Sequence, residues 1–151
     1  MSYTASKAQT GLQTQFNIKY PTSGSFIPIY EVNDFSQSGK TNKTADVTNL
    51  NSTGEEFLAV ILSPGTYDLT YNRVASDPGQ SAVLSAFNAK ATVPFTIQLP
   101  IAPGQTTTGD LYAFNGLVEE LDDISSISPT KQIMTKAKIK VSGGITLTPG
   151  S

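Results

Sequence analysis

The chain has 151 residues, 38% of them hydrophobic, with 12 Gly, 9 Pro and a formal net charge of −2. One domain is the default at that length, and the turn-rich composition points to strands rather than to a helical bundle. There are no Cys and no His, which excludes disulfides, zinc fingers, thiol catalysis and imidazole acid–base chemistry. A single Arg and a slight acidic excess leave no basic patch for holding a duplex.

Residues 1–25 are polar, with Leu12, Phe16, Ile18 and Tyr20 as scattered anchors, and read as a partly flexible N-terminal arm. Met1–Lys7 has no apolar core of the signal-peptide kind, and no apolar run reaches the ~18 residues of a membrane span. Phe26–Val32 is the first strand, and Pro28 places it at a sheet edge or beside a bulge. Asp34–Thr44 is a polar turn region around Ser38-Gly39-Lys40, expected to close a hairpin onto Ala45–Leu50. The run Phe57–Leu62 has no periodicity and reads either as a short helix or as an irregular segment under the sheet.

Thr66–Val74 alternates, with Tyr67, Leu69 and Tyr71 inward and Asp68, Thr70 and Asn72 outward. Asp77-Pro78-Gly79-Gln80 then opens a helix. Asp77 supplies the cap, Pro78 the first helical position and Gln80 the capping-box residue, and Val83, Leu84 and Phe87 form the apolar stripe. Thr92–Leu99 alternates again, with Thr96 and Gln98 on the polar side. Two long strands, Asp110–Leu121 and Lys131–Val141, and a short one, Ile145–Thr148, complete the chain. The expected fold class is mainly β, two packed antiparallel sheets with one flanking α-helix.

No pair of residues carries a convincing catalytic arrangement. Asp46 with Asp68 and Glu55 with Glu56 have no partner base or ligand cluster, and no Ser-x-x-Lys occurs, so the chain is read as not an enzyme and as needing no cofactor or metal. Two charge groups remain: Glu119, Glu120, Asp122 and Asp123 at the end of one long strand, and Lys136, Lys138 and Lys140 on one face of the next. They fit either a solvated outer face or complementary charge between copies of the same chain.

An ordered series of segments carries a resemblance: Ala45-Asp46-Val47-Thr48-Asn49-Leu50-Asn51-Ser52, Glu56-Phe57, Gly65-Thr66-Tyr67-Asp68-Leu69, Asp77-Pro78-Gly79-Gln80, Phe95-Thr96-Ile97-Gln98-Leu99-Pro100, Gly109–Phe114 and Lys138–Gly143. Over residues 26–148 it resembles the major tail (tube) proteins of long-tailed, non-contractile bacteriophages. The resemblance implies a fold shared with the type VI secretion tube, and homohexameric rings stacked into a hollow helical tube. It also implies a virion tail location after synthesis in the host bacterial cytoplasm. The implied partners are the chain itself, a tape-measure protein, and tail tip and terminator proteins; no membrane is involved. DNA would pass through the lumen without specific binding, and a chain of −2 gives −12 in a ring of six.

On that reading residues 26–151 form a single tail-tube domain with no C-terminal immunoglobulin-like extension. The ring-stacking contact is expected within Asn33–Leu62, through Phe35, Lys40, Lys43, Glu55, Glu56, Phe57 and Leu58, with residues 1–25 as a second contact. The lumen face is expected at Asp68, Thr70, Asn72, Thr96 and Gln98, because that side lacks Lys. The rival reading is a ligand-binding β-sandwich module of a surface protein, disfavoured by the lack of Trp and of a secretory segment.

Overall fold

A computed structural model describes residues 11–151. In chain order the elements are β1 (Gln15–Ile18), β2 (Ile27–Ile29), β3 (Val32–Ser38), β4 (Thr41–Asp46), β5 (Phe57–Ser63), β6 (Thr66–Asn72), α1 (Pro78–Ala89), β7 (Thr92–Gln98), β8 (Leu111–Ser128) and β9 (Lys131–Thr148). The mainly β architecture, with a single flanking helix among the described residues, is therefore as expected. Seven strands pair antiparallel in the order β2-β1-β7-β8-β9-β6-β3, and β4-β5 forms a separate two-stranded sheet.

The seven strands make two layers because β8 and β9 are each 18 residues long and belong to both. Leu111–Leu117 pairs with β7 on one side and β9 on the other, whereas β6 pairs with Thr135 and its neighbours at the opposite end of β9. Register shifts between Ala113 and Asn115 and between Val118 and Glu120 bend the hairpin from one layer into the next. One layer is β2-β1-β7 with the first half of β8; the other is β3-β6 with the first half of β9 and the second half of β8.

Alternation decides which side of each layer is buried. Ile18, Val93, Phe95, Ile97 and Phe114 face inward from one layer, and Tyr67, Leu69, Tyr71, Ala137 and Ile139 from the other. A ladder of rings stitches the layers together: Phe16–Phe35 at 4.7 Å between centroids, Phe35–Tyr67 at 4.8 Å, Tyr67–Phe114 at 4.7 Å and Phe114–Phe95 at 5.5 Å.

The helix closes the other part of the core. Asp77 Oδ2 accepts from the backbone N–H groups of Gln80 and Tyr30. Gln80 does not reach back to the cap; its amide donates to the carbonyls of Tyr30 and Asn72 and accepts from Val74 N–H. Those bonds tie α1 to the β2–β3 link and to the end of β6. Gly79 lies so close to Pro28 of β2 that a Cβ there would collide with the Pro28 carbonyl. The buried stripe is Gly79, Gln80, Ala82, Val83 and Ala86; Leu84, expected inside, is 42% exposed. Lys90 in the left-handed conformation (φ 54°) ends the helix.

Three further expectations change. Gln15–Ile18 is an internal strand between β2 and β7 with Ile18 fully buried, so the boundary of an arm at residue 25 cuts through the sheet. The first ten residues of that arm lie outside the described residues. Phe57–Leu62 is a strand that projects from the molecule rather than lying under the sheet. Finally, β4 does not fold back onto β3: β3 pairs with β6 and β4 with β5. Pro28 does mark an edge, since β2 ends the sheet.

Candidate assembly surfaces

The β4–β5 arm continues the β3–β6 ribbon past a joint. Gly39 (φ 79°) and Gly65 (φ 84°) face each other there, and a side chain on Gly65 would strike the Ser38 carbonyl. Beyond the joint nothing among the described residues covers either face of β5. Register places Phe57, Ala59 and Leu62 on one face and Leu58 and Ile61 on the other, with Val60 at the irregularity between them. Phe57, Leu58, Val60, Ile61 and Leu62 are between 41% and 65% exposed. A near-continuous apolar run is the pattern of a strand covered on both sides, and the described residues leave this strand uncovered.

The arm's tip is nevertheless ordered by its own polar groups. Asp46 Oδ1 accepts from Thr48 N–H, Thr48 Oγ1 accepts from Glu56 N–H, and Val47 N–H donates to the Glu56 carbonyl. Ser52 Oγ donates to Glu56 Oε2 at 2.7 Å while accepting from Asn49 N–H, and Asn51 N–H donates to Asn49 Oδ1. The Ala45–Ser52 motif is therefore turn chemistry. The Thr48 hydroxyl and amide hold the Asp46 carboxyl below its ordinary range.

Of the residues expected in the stacking loop, Lys43, Glu55, Glu56, Phe57 and Leu58 lie on the arm. Lys40 stands at its base, beside an open cavity of about 590 Å³ between the layers that Phe16, Val32, Ile97 and Tyr112 also line. Burial of Tyr67 in that cavity's wall, with Tyr112 nearby, raises its phenol pKa. Phe35 leaves the set, because its ring is packed between Phe16 and Tyr67. Sequence reading missed Val60, Ile61 and Leu62 as surface residues; their signal was the absence of alternation.

The residues expected to line a lumen divide between the two layers. Asp68, Thr70 and Asn72 lie on the outward side of β6, whereas Thr96 and Gln98 lie on the outward side of β7. The inward sides meet in the core, so the two outward sides point away from each other and cannot form one wall. Thr96 is also only 8% exposed and accepts from Asn17 Nδ2. The Gln98 amide donates to the Leu99, Gly109 and Asp110 carbonyls, which holds the loop after β7.

The β6 side is not free of Lys either. Register aligns Ser36, Asp68, Lys138 and Glu120 in one row across β3, β6, β9 and β8, and Asp34, Thr70, Lys136 and Asp122 in the next. Lys140 pairs with Thr66 and Leu117 in a third. Asp68, Glu120, Asp122, Lys136 and Lys138 together surround a shallow depression of about 160 Å³. Lys138 thus lies between Asp68 and Glu120 and Lys136 beside Asp122, whereas Lys140 has no acidic neighbour in its row. Glu119 is the extra residue at the register shift, and Asp123 faces the other way, where its carbonyl accepts from Thr135 Oγ1.

Asp123 borders a groove at the far end of the molecule, between α1 and the second half of β8. Tyr71, Arg73, Leu84, Leu121 and Ile124 also line this space of about 510 Å³. Burial is the main reason that the Tyr71 phenol is pushed up to about 12, with Asp123 and Asp77 adding to it.

No family model and no curated protein matches the sequence. Solved structures do match the fold over nearly all of the chain. A chain from the tail of an empty gene transfer agent particle, refined helically with C6 symmetry, is 17% identical with a TM-score of 0.72, over 93% of this chain and 99% of that one. The SPP1 tail tube gives 15% identity and a TM-score of 0.67 over 95% and 80%. The sheath–tube complex of an extracellular contractile injection system in its extended state gives 11% and 0.68 over 94% and 92%. The chain therefore has the fold seen in tail tubes and contractile injection systems.

Proposed function

We propose that the chain is the structural subunit of a phage-type tail tube, built from stacked rings and carried in the virion tail. The observation that carries this reading is β5, a strand apolar on both faces that its own chain leaves exposed, in a fold shared with tail-tube proteins. An exposed apolar surface of this kind marks a protein–protein contact. A ligand-binding sandwich module would use the cavity beside Lys40 and would leave β5 without a purpose.

In the tube, copies join in homohexameric rings through the open edges of β3 and the second half of β8, which removes edges otherwise free to pair. The β4–β5 arm makes the ring-to-ring contact. The outward side of β3-β6-β9-β8, with Asp68, Thr70 and Asn72, faces the lumen. Two of its three lysines, Lys136 and Lys138, have carboxylates beside them in the sheet, so the wall presents no bare row of three cations to passing DNA. The tape-measure protein occupies that lumen during growth, and tip and terminator proteins cap the ends. The role is structural and non-catalytic.

Electron microscopy of the concentrated protein, beside its mass in dilute solution, tests the reading. Tubes or stacked rings with six-fold end views are the expected result. Monomers that persist when tail-tip components are added would overturn it.

A further inference from the structure

The arm and the groove lie at opposite ends of one strand. At the Thr66 end of β6, Gly65 leads directly into β5. At the Asn72 end, β9 runs on past Met134, and Arg73 N–H donates to the Ile133 carbonyl. The groove opens there. Leu84 and Ile124 stand 42% and 59% exposed on its two walls, so it is as uncovered as the arm. The chain therefore carries a projecting apolar element at one end and, at the other, a groove in which Leu84, Leu121 and Ile124 stand beside the polar Arg73, Ser81, Asp123 and Thr135.

Two different surfaces that recognise each other, placed at opposite ends of one subunit, make a heterologous contact. Each copy added leaves the same pair of surfaces open, so the assembly extends without closing along that direction. The charges agree. The tip carries Asp46, Glu55 and Glu56, with the arm's lysine, Lys43, set back toward the joint opposite Ile61, and the groove holds Arg73, the chain's one arginine, with Asp123 as its single carboxylate.

We propose that the Phe57–Leu62 side chains of one copy seat in the groove walled by Leu84, Leu121 and Ile124 of a second copy in the adjacent ring, with Arg73 meeting the acidic tip. This rests on the tube reading and adds the receptor for the arm.

The chain has no Cys, so engineered thiols are unambiguous. Leu58→Cys and Leu84→Cys chains, mixed and mildly oxidised, should give a disulfide-linked heterodimer in several-fold excess over either homodimer. The double variant should give a ladder of covalent oligomers. Ile101→Cys, in the exposed loop after β7, replaces Leu84→Cys as the control and should trap little. Tubes that form without selective Leu58–Leu84 trapping would overturn the groove and leave the tube reading standing. Selective trapping without tubes would support the contact and count against the tube. Neither would overturn both. As a second variant, Leu84→Glu should keep the wild-type unfolding transition, because the site is half-exposed, and weaken association at least about tenfold by placing a carboxylate against the arm. Association at wild-type strength would overturn the proposal.

Discussion

β5 and β7 are both seven-residue strands, and the more hydrophobic of them is the one left in solvent. Phe57-Leu58-Ala59-Val60-Ile61-Leu62-Ser63 pairs with β4 alone and stands exposed. Thr92-Val93-Pro94-Phe95-Thr96-Ile97-Gln98 lies between β1 and β8 and buries Val93, Phe95 and Ile97. The difference is periodicity. An alternating strand needs cover on one face, which the rest of one chain can provide; a strand apolar on both faces needs two covers. Alternation thus describes how this chain folds, and its absence in β5 is what supports the proposed association through that strand.

The comparison is broken most severely by changes in the folded interior. Leu69, on β6 within a few residues of the arm's joint, is 1% exposed. Leu69→Ala should lower the unfolding free energy by about 2–5 kcal/mol, read from the midpoint of chemical denaturation. A loss below about 1 kcal/mol would mean that the core is not organised as described. Gln80→Glu comes next. The substitution is isosteric but replaces the amide that donates to the Tyr30 and Asn72 carbonyls by an acceptor. It should cost about 2–3 kcal/mol, and Gln80→Ala a comparable amount, because buried partners are left unpaired.

Gln80 also marks the limit of what was legible. The local pattern Asp77-Pro78-Gly79-Gln80 announces a capped helix, and Asp77 and Pro78 do what their types dictate. Gln80's partners come from residues 50 and 8 positions away, and no spacing rule reaches them. The same divide runs through the charged face. Period-two spacing puts Lys136, Lys138 and Lys140 on one side of a strand, but only the register sets Lys138 between Asp68 and Glu120 and Lys136 beside Asp122. Phe35 was misread because its neighbours Ser36, Gln37 and Ser38 are polar: on an edge strand the outward residues resemble a loop, and one inward ring is too little to show alternation.

Substitutions on the arm should separate folding from association. Leu58→Ser with Ile61→Ser should change the unfolding free energy by less than about 0.5 kcal/mol, since both side chains are exposed in the single chain. The same pair should abolish tubes in the microscope. Deleting Gln37–Lys43 is a poorer test, because Gln37 and Ser38 pair with Tyr67 and Thr66 in the main sheet. A serine variant that unfolds much more easily would show that β5 is covered within its own chain, and the contrast with β7 would collapse.

The smallest effect sharpens the contrast at the arm's tip. The Thr48 hydroxyl and amide bond to Asp46 and lower its pKa from the ordinary 3.8. A carboxylate whose folded pKa is depressed contributes order that is present above 3.8 and is lost as pH falls through the folded value. Asp46 is fully solvated, so the consequence is local: the tip loosens while the layers stay folded. The Thr48 amide resonance should titrate with a midpoint below 3.8, and its hydrogen-exchange protection should fade over the same range. Asp46→Ala should remove that titration without moving the unfolding midpoint. A Thr48 midpoint at or above 3.8 would mean that the tip's order does not depend on this carboxylate, leaving the Thr48–Glu56 and Ser52–Glu56 bonds to hold the turn.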